Sequence, residues 1–152
     1  MIRFQTVFFM FFSLLFAGQL SGQKAADLKR NGEKQFENRQ WAEAAATLGQ
    51  YQQEKPGDLG VLAKLGICDY YLHQPDKARQ YLEFVLQKDP KLGDPDPYYY
   101  LARTLHGQQE FDRAITAYKA FLRVAGDKHP LHANALDNIR RCVSGLGIRA
   151  NE

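Results

Sequence analysis

Positions that face one side of a helix recur along the middle of this chain in paired stretches, separated by short polar breaks. Leu62, Leu65, Gly66, Asp69 and Tyr70 share one helical face, and Ala78, Tyr81, Leu82, Val85 and Leu86 share another. The breaks are Asn38-Arg39-Gln40, His73-Gln74-Pro75 and Gly107-Gln108-Gln109, each ending one helix and opening the next. The pattern repeats. Gly32 and Gly66, Ala44 and Ala78, and Pro56 and Pro90 all stand 34 positions apart, and Leu28/Leu62, Phe36/Tyr70 and Leu48/Leu82 keep the same register. A third copy runs through Tyr98, Leu101-Ala102, Phe111, Ala114, Tyr118 and Phe121. Its offset is 36, because the Lys91–Pro97 connection carries two extra residues, and Gly126 stands where the terminal proline is expected. A period of this length, built of helical hairpins, predicts an all-α repeat whose units bury their apolar faces by stacking.

Two features refine the hairpins. Gly66 and Ala78 lie on facing helices, where a missing or minimal side chain lets the backbones approach. A glycine inside a helix costs about 1 kcal/mol relative to alanine, and tight packing is the expected compensation. Helix starts are marked by Asp58, by Asp96-Pro97, and less well by His129-Pro130. A last helix is expected over 130–145, with Leu131, Ala135, Leu136, Ile139 and Val143 on its apolar face and Arg140-Arg141 on its solvent side. Gly145-Leu146-Gly147-Ile148 is expected to break it, leaving 147–152 as a tail or junction.

The spacing resembles the tetratricopeptide repeat, whose pattern runs W-x2-L-G-x2-Y, then A-x3-F, then P. The second copy matches at Leu62, Leu65-Gly66, Ala78, Leu82 and Pro90, and the first at Leu28, Gly32, Ala44, Leu48 and Pro56, with Trp41 opening the second helix. The chain departs from the pattern three residues after each small residue, where an aromatic is expected and Gln35, Asp69 and Leu105 stand. The resemblance covers Ala25 to Gly126. It implies a helical-hairpin solenoid over 23–146, with repeats at about 25–58, 59–92 and 95–128 and a C-terminal capping helix. It also implies a binding module rather than an enzyme.

In such repeats the inner groove is lined by fixed positions of each first helix. Carried onto this chain, they give a partner-binding groove of Phe36, Ile67, Tyr70, Tyr71, Tyr99, Arg103 and His106. The set is aromatic with one arginine, the residue types that dominate binding energy at protein interfaces. Tyr99 is expected to stand at mid-groove, outside the core between repeats. Family members that clamp a C-terminal carboxylate do so with a Lys/Asn/Arg set. Here Lys29 matches, but Glu33, Lys64, Asp96 and Tyr100 occupy the remaining places, and the negative charge of Glu33 argues against that mode. The stretch from His129-Pro130 through Ile139-Arg140-Arg141-Cys142 to Gly145 is also similar to a junction in certain Gram-negative envelope proteins. There, tetratricopeptide repeats precede a β-propeller and a domain similar to outer-membrane protein A. That likeness implies outer-membrane or secretion-complex components as partners.

Composition removes other functions. The 152 residues allow one domain. Formal net charge is +3, with no block of like charge and no glycine-rich phosphate loop, so neither nucleic acid nor a small-molecule substrate is expected. No Ser, Cys or His forms a nucleophilic constellation. His129, His132 and Asp127 fall short of the ligands a zinc site needs, so no metal or cofactor is expected. Cys68 and Cys142 are read as small buried groups, too far apart in a repeat array to bridge.

At the start, Met1-Ile2-Arg3 is followed by an apolar run from Val7 to Phe16 broken only by Ser13. A run that short suits the core of a secretory signal peptide rather than a membrane-spanning helix. Cleavage after Gly22 is expected, giving an exported, periplasmic chain. The function expected is a non-enzymatic protein-binding adaptor of the cell envelope; the alternative is a structural spacer within a larger envelope complex. N-terminal sequencing of protein from its native host should find a mature start near Gln23. An intact Met1 on a membrane-retained chain would replace the signal peptide with an anchor.

Overall fold

The computed structural model describes residues 22–149, and the expected leader falls almost wholly outside them. All regular structure among the described residues is α-helical. The chain divides into two compact units, one ending at Gly57 and the other starting at Asp58.

The first unit holds α1, described over residues 22–37, and α2 (Trp41–Glu54). Ala25, Ala44 and Leu48 are buried at the helix contact. Gly32 is there for space: a Cβ on it would come within 2.6 Å of Leu48 Cδ2 and 3.3 Å of the Leu48 backbone nitrogen. Phe36 packs edge-on against Trp41 at 5.4 Å, and Lys24 pairs with Glu54 at 2.9 Å.

The second unit holds α3 (Leu59–Tyr71), α4 (Pro75–Lys88), α5 (Asp96–Gly107), α6 (Phe111–Ala125) and α7 (His132–Arg149). Consecutive helices pack on one another, and α3 also lies beside α5. The same glycine device recurs, since a Cβ on Gly66 would meet Leu82 Cγ at 2.8 Å. In the next hairpin Ala102 and Tyr118 take the corresponding places, both fully buried. Asp58 caps α3 by accepting from the Val61 backbone N–H at 3.2 Å.

The turn inside each hairpin is the same. Arg39, His73 and Gln109 have φ of 59°, 56° and 61°. In each turn the next residue's N–H reaches back five positions: Gln40 to the Gln35 carbonyl, Gln74 to Asp69 and Glu110 to Leu105, each at 2.9 Å. A second bond joins the left-handed residue to the carbonyl three before it, completing a Schellman motif at each helix end.

Two expected boundaries are corrected. Asp96 and Pro97 sit inside α5 rather than at its cap: Pro95 precedes the helix, and Asp94 accepts from the Asp96 N–H at 3.0 Å. The last helix begins at His132, not at 130, and does not break at Gly145 but runs to Arg149. Packing explains the continuation, because a Cβ on Gly145 would lie 2.6 Å from Phe111 Cε2. The glycine is a contact point, not a stop. Ahead of α7, His129 Nδ1 accepts from the Leu131 N–H at 3.2 Å, and His132 Nδ1 lies 3.1 Å from the Gly126 carbonyl. Both cysteines are buried and unbridged. Burial first, then Asp69, pushes the Cys68 thiol up to about 12.

By register, α7 corresponds to the first helix of a hairpin. Ala135 and Cys142 follow Pro97 and Thr104 by 38 positions and are buried like them. Leu136 and Val143, in the places of Tyr98 and Leu105, are 41% and 55% exposed.

Ala78 and Asp69 carry the predictions. Ala78 is wholly buried against its neighbours, and overpacking costs about 1–3 kcal/mol. Ala78→Leu should therefore lower the urea midpoint clearly, whereas Leu at the exposed Gln80 should not; equal effects would show the register to be wrong. Asp69 is 8% exposed at a place where the next hairpin has Leu105. Burial raises its carboxyl above the ordinary value, with Lys77 pulling partly back. A raised folded value favours the fold while the group is protonated, and that contribution is lost as pH rises through it. Asp69→Leu should thus stabilise by about 1 kcal/mol or more at pH 7, and the gain should shrink toward pH 4 in the same urea titrations.

Candidate functional site

Because α3 and α5 lie side by side, residues one helical turn apart on each meet across a shared face. Tyr70 and Tyr71 close α3, and their rings lie 5.2 Å apart. Tyr100 on α5 sits between them, 5.2 Å from Tyr70 and 5.5 Å from Tyr71, with its hydroxyl 2.7 Å from that of Tyr71. Burial, then this hydrogen bond, pushes the Tyr100 hydroxyl well above the usual tyrosine range.

One turn along α5, Arg103 lays its guanidinium over two rings, 5.6 Å from the Tyr70 centroid and 6.0 Å from that of Tyr99. It donates to the Tyr99 hydroxyl at 3.4 Å. Among the described residues no aspartate or glutamate pairs with Arg103; its electrostatic neighbours are Tyr70, Tyr99 and Tyr118. A further turn on, His106 packs edge-on at 5.8 Å from Phe111 and 6.4 Å from Tyr118. Burial, then Arg103 and Arg141, depresses its imidazole below the ordinary value.

A cavity of about 300 Å³ opens beside Arg103, lined by Tyr70, His73, Pro75, Arg103, Thr104, Gly107 and Gln108. Thr104 is turned inward, its hydroxyl donating to the Tyr100 carbonyl at 2.8 Å. Gln108 Nε2 donates to Asp76 at 2.9 Å, and its Oε1 is buried without a partner.

Of the residues expected in a groove, Tyr70, Tyr71, Tyr99, Arg103 and His106 join in this one cluster. Phe36 belongs to the first unit, packed on Trp41. Ile67 is 3% exposed and is core on α3. The expectation that Tyr99 stands outside the core is corrected: it is 3% exposed, its ring 5.1 Å from Phe121 and 6.0 Å from Tyr118 of α6. Its hydroxyl supports Arg103 from below. Tyr71, by contrast, is 38% exposed and Arg103 is exposed beside it.

Tyr100, read from the sequence only as a departure from the carboxylate-clamp set, belongs to this face. The signal was the Tyr98-Tyr99-Tyr100 run. At about 100° per residue, three consecutive tyrosines cannot share a face: Tyr99 goes inward, Tyr98 turns back to the Pro90 carbonyl at 3.3 Å, and Tyr100 meets α3.

Residues 71–139 match the tetratricopeptide repeat family. No curated protein sequence matches the chain. Solved structures do. The first tetratricopeptide domain of Spaghetti (RPAP3), bound to the HSP90 peptide SRMEEVD, is 18% identical with a TM-score of 0.68, over 82% of this chain and 94% of that one. The TPR2B domain of yeast Sti1, in a pHsp70 complex, is 14% identical with a TM-score of 0.66, over 80% and 98%. PcrH from Pseudomonas aeruginosa is 18% identical with a TM-score of 0.64, over 80% and 92%.

Proposed function

We propose that this chain, whose residues 71–139 match the tetratricopeptide repeat family, is a non-enzymatic adaptor that holds a peptide or protein segment against the α3/α5 face, in the cell envelope. The observation that carries the reading is the exposed Tyr71 beside Arg103, whose guanidinium rests on Tyr70 and Tyr99. Exposed aromatic and arginine side chains that are already held in place bind with little further ordering cost. The RPAP3 and Sti1 domains, similar in fold, are both found in complexes. The envelope setting rests on Arg3 and the Val7–Phe16 run.

A second reading, an assembly module, is favoured by Leu136 and Val143, which α7 leaves exposed, whereas Leu105, the counterpart of Val143 in the preceding hairpin, is buried.

Titration of the partner captured from envelope extract separates the two. Truncation of a hot-spot residue costs about 2 kcal/mol or more, so Tyr71→Ala with Arg103→Ala should abolish a micromolar interaction while circular dichroism stays helical. Lys119→Glu, on the exposed side of α6, should leave it unchanged. Wild-type binding by the double variant, with loss in Val143→Asp, would transfer the interaction to α7.

A further inference from the structure

Arg103 differs from the paired arginines of the second unit. Arg79 and Arg113 share Glu83 and Glu110, and Arg141 is held by Asp137 at 2.7 Å. Arg103 has hydroxyls and ring faces around it but no carboxylate among the described residues. The exposed guanidinium is held in place by a hydroxyl and two rings but is not neutralised by them. A planar guanidinium fixed in this way can take a carboxylate through two parallel bonds.

The space for it exists. The cavity of about 300 Å³ lies directly against Arg103. His106, one turn away, packs on Phe111 and Tyr118, and burial first, then Arg103, holds its imidazole below the ordinary value. The cavity is also not a dead end, because nothing lies within 4 Å of where a Cβ on Gly107 would be. Chain can therefore pass over Gly107 in one direction and over Tyr71 and Tyr100 in the other.

We propose that Arg103 receives the carboxylate side chain of an aspartate or glutamate inside a bound segment that runs along α5 from the Tyr71/Tyr100 pair toward Gly107. This rests on the reading of the α3/α5 face as a peptide-binding surface and gives that surface its chemical preference. The determinant is an acidic side chain in mid-segment, flanked on the Tyr71 side by a residue that can lie on aromatic rings.

Two random peptide libraries displayed against the purified chain test this, one with both ends blocked and one with a free C-terminus. The wild-type chain should enrich Asp or Glu at one position of the blocked library. Arg103→Gln should erase that enrichment and weaken a selected peptide at least about 30-fold. The charge-reversed Arg103→Glu should select Lys or Arg at the same position, which a loss of folding cannot imitate. Selected peptides without an acidic position, or an acidic position that survives Arg103→Gln, would overturn the inference and leave peptide binding standing. Acidic selection only at the free C-terminus would overturn the side-chain assignment in favour of a chain end. No selection from either library would remove the peptide-binding reading, and this inference with it.

Discussion

A leucine on the second helix of a hairpin presses into the gap left by a glycine on the first, and the rest of the architecture hangs on that contact. In the first unit the pair is Leu48 on Gly32, and in the second it is Leu82 on Gly66. Glycine in mid-helix costs about 1 kcal/mol, whereas a fully buried leucine returns about 1.5–3 kcal/mol. The exchange is favourable only if the helices come close enough for the leucine to fill the space. That requirement fixes how each second helix is turned against its first. The next hairpin reaches the same end differently, with a methyl at Ala102 and the large ring of Tyr118. Substituting a tyrosine for the leucine has a local consequence: Tyr118 lies 6.0 Å from Tyr99 and 6.4 Å from His106, so the core contact reaches up to the floor of the exposed face.

Between successive hairpins of the second unit the tie is electrostatic. Glu83 accepts from Arg79 at 2.9 Å and from Arg113 at 2.6 Å, and Glu110 accepts from both arginines in turn. Arg113 first, then Arg79, holds the Glu110 carboxyl below its ordinary value. Single ion pairs at the surface contribute little. Four alternating charges spanning α4 and the start of α6 do set one hairpin in register with the next. Arg103 differs from these two arginines: rings and a hydroxyl surround it, with no carboxylate partner among the described residues.

Most of the helices could be read from the sequence, because the glycine, alanine and leucine positions have to repeat if the hairpins are to close. Asp58 could be read as a cap for the same reason: an orphan backbone donor needs an acceptor at that point. What could not be read depended on a neighbour. A position counted along α5 tells which way Tyr99 points, but not that Phe121 and Tyr118 already occupy that direction. Gly145 read alone is a helix breaker; only Phe111, far away in sequence, turns it into a packing contact. The turns were hidden too. Arg39, His73 and Gln109 carry no mark of the left-handed backbone they adopt, which follows from the helix termini they join. The site was legible to the extent that it consists of side chains that reach the shared α3/α5 surface, as at Tyr70, Tyr71 and Arg103. It was illegible where burial decided, as at Ile67.

Those identical turns divide the chain into lengths that can change and lengths that cannot. Three residues, 38–40, 72–74 and 108–110, separate the helices of every hairpin. The links between hairpins are 55–58, 89–95 and 126–131, and they vary from four to seven residues. One residue added inside a hairpin would swing the second helix by about 100° and lift its leucine out of the glycine gap. The same residue added between hairpins would lengthen a surface strap and leave both flanking contacts as they were. Insertions and deletions are therefore filtered by place. The repeat drifts from 34 to 36 to 38 along this chain without disturbing any hairpin, and foreign sequence grafted at 89–95 or 126–131 would meet the same tolerance.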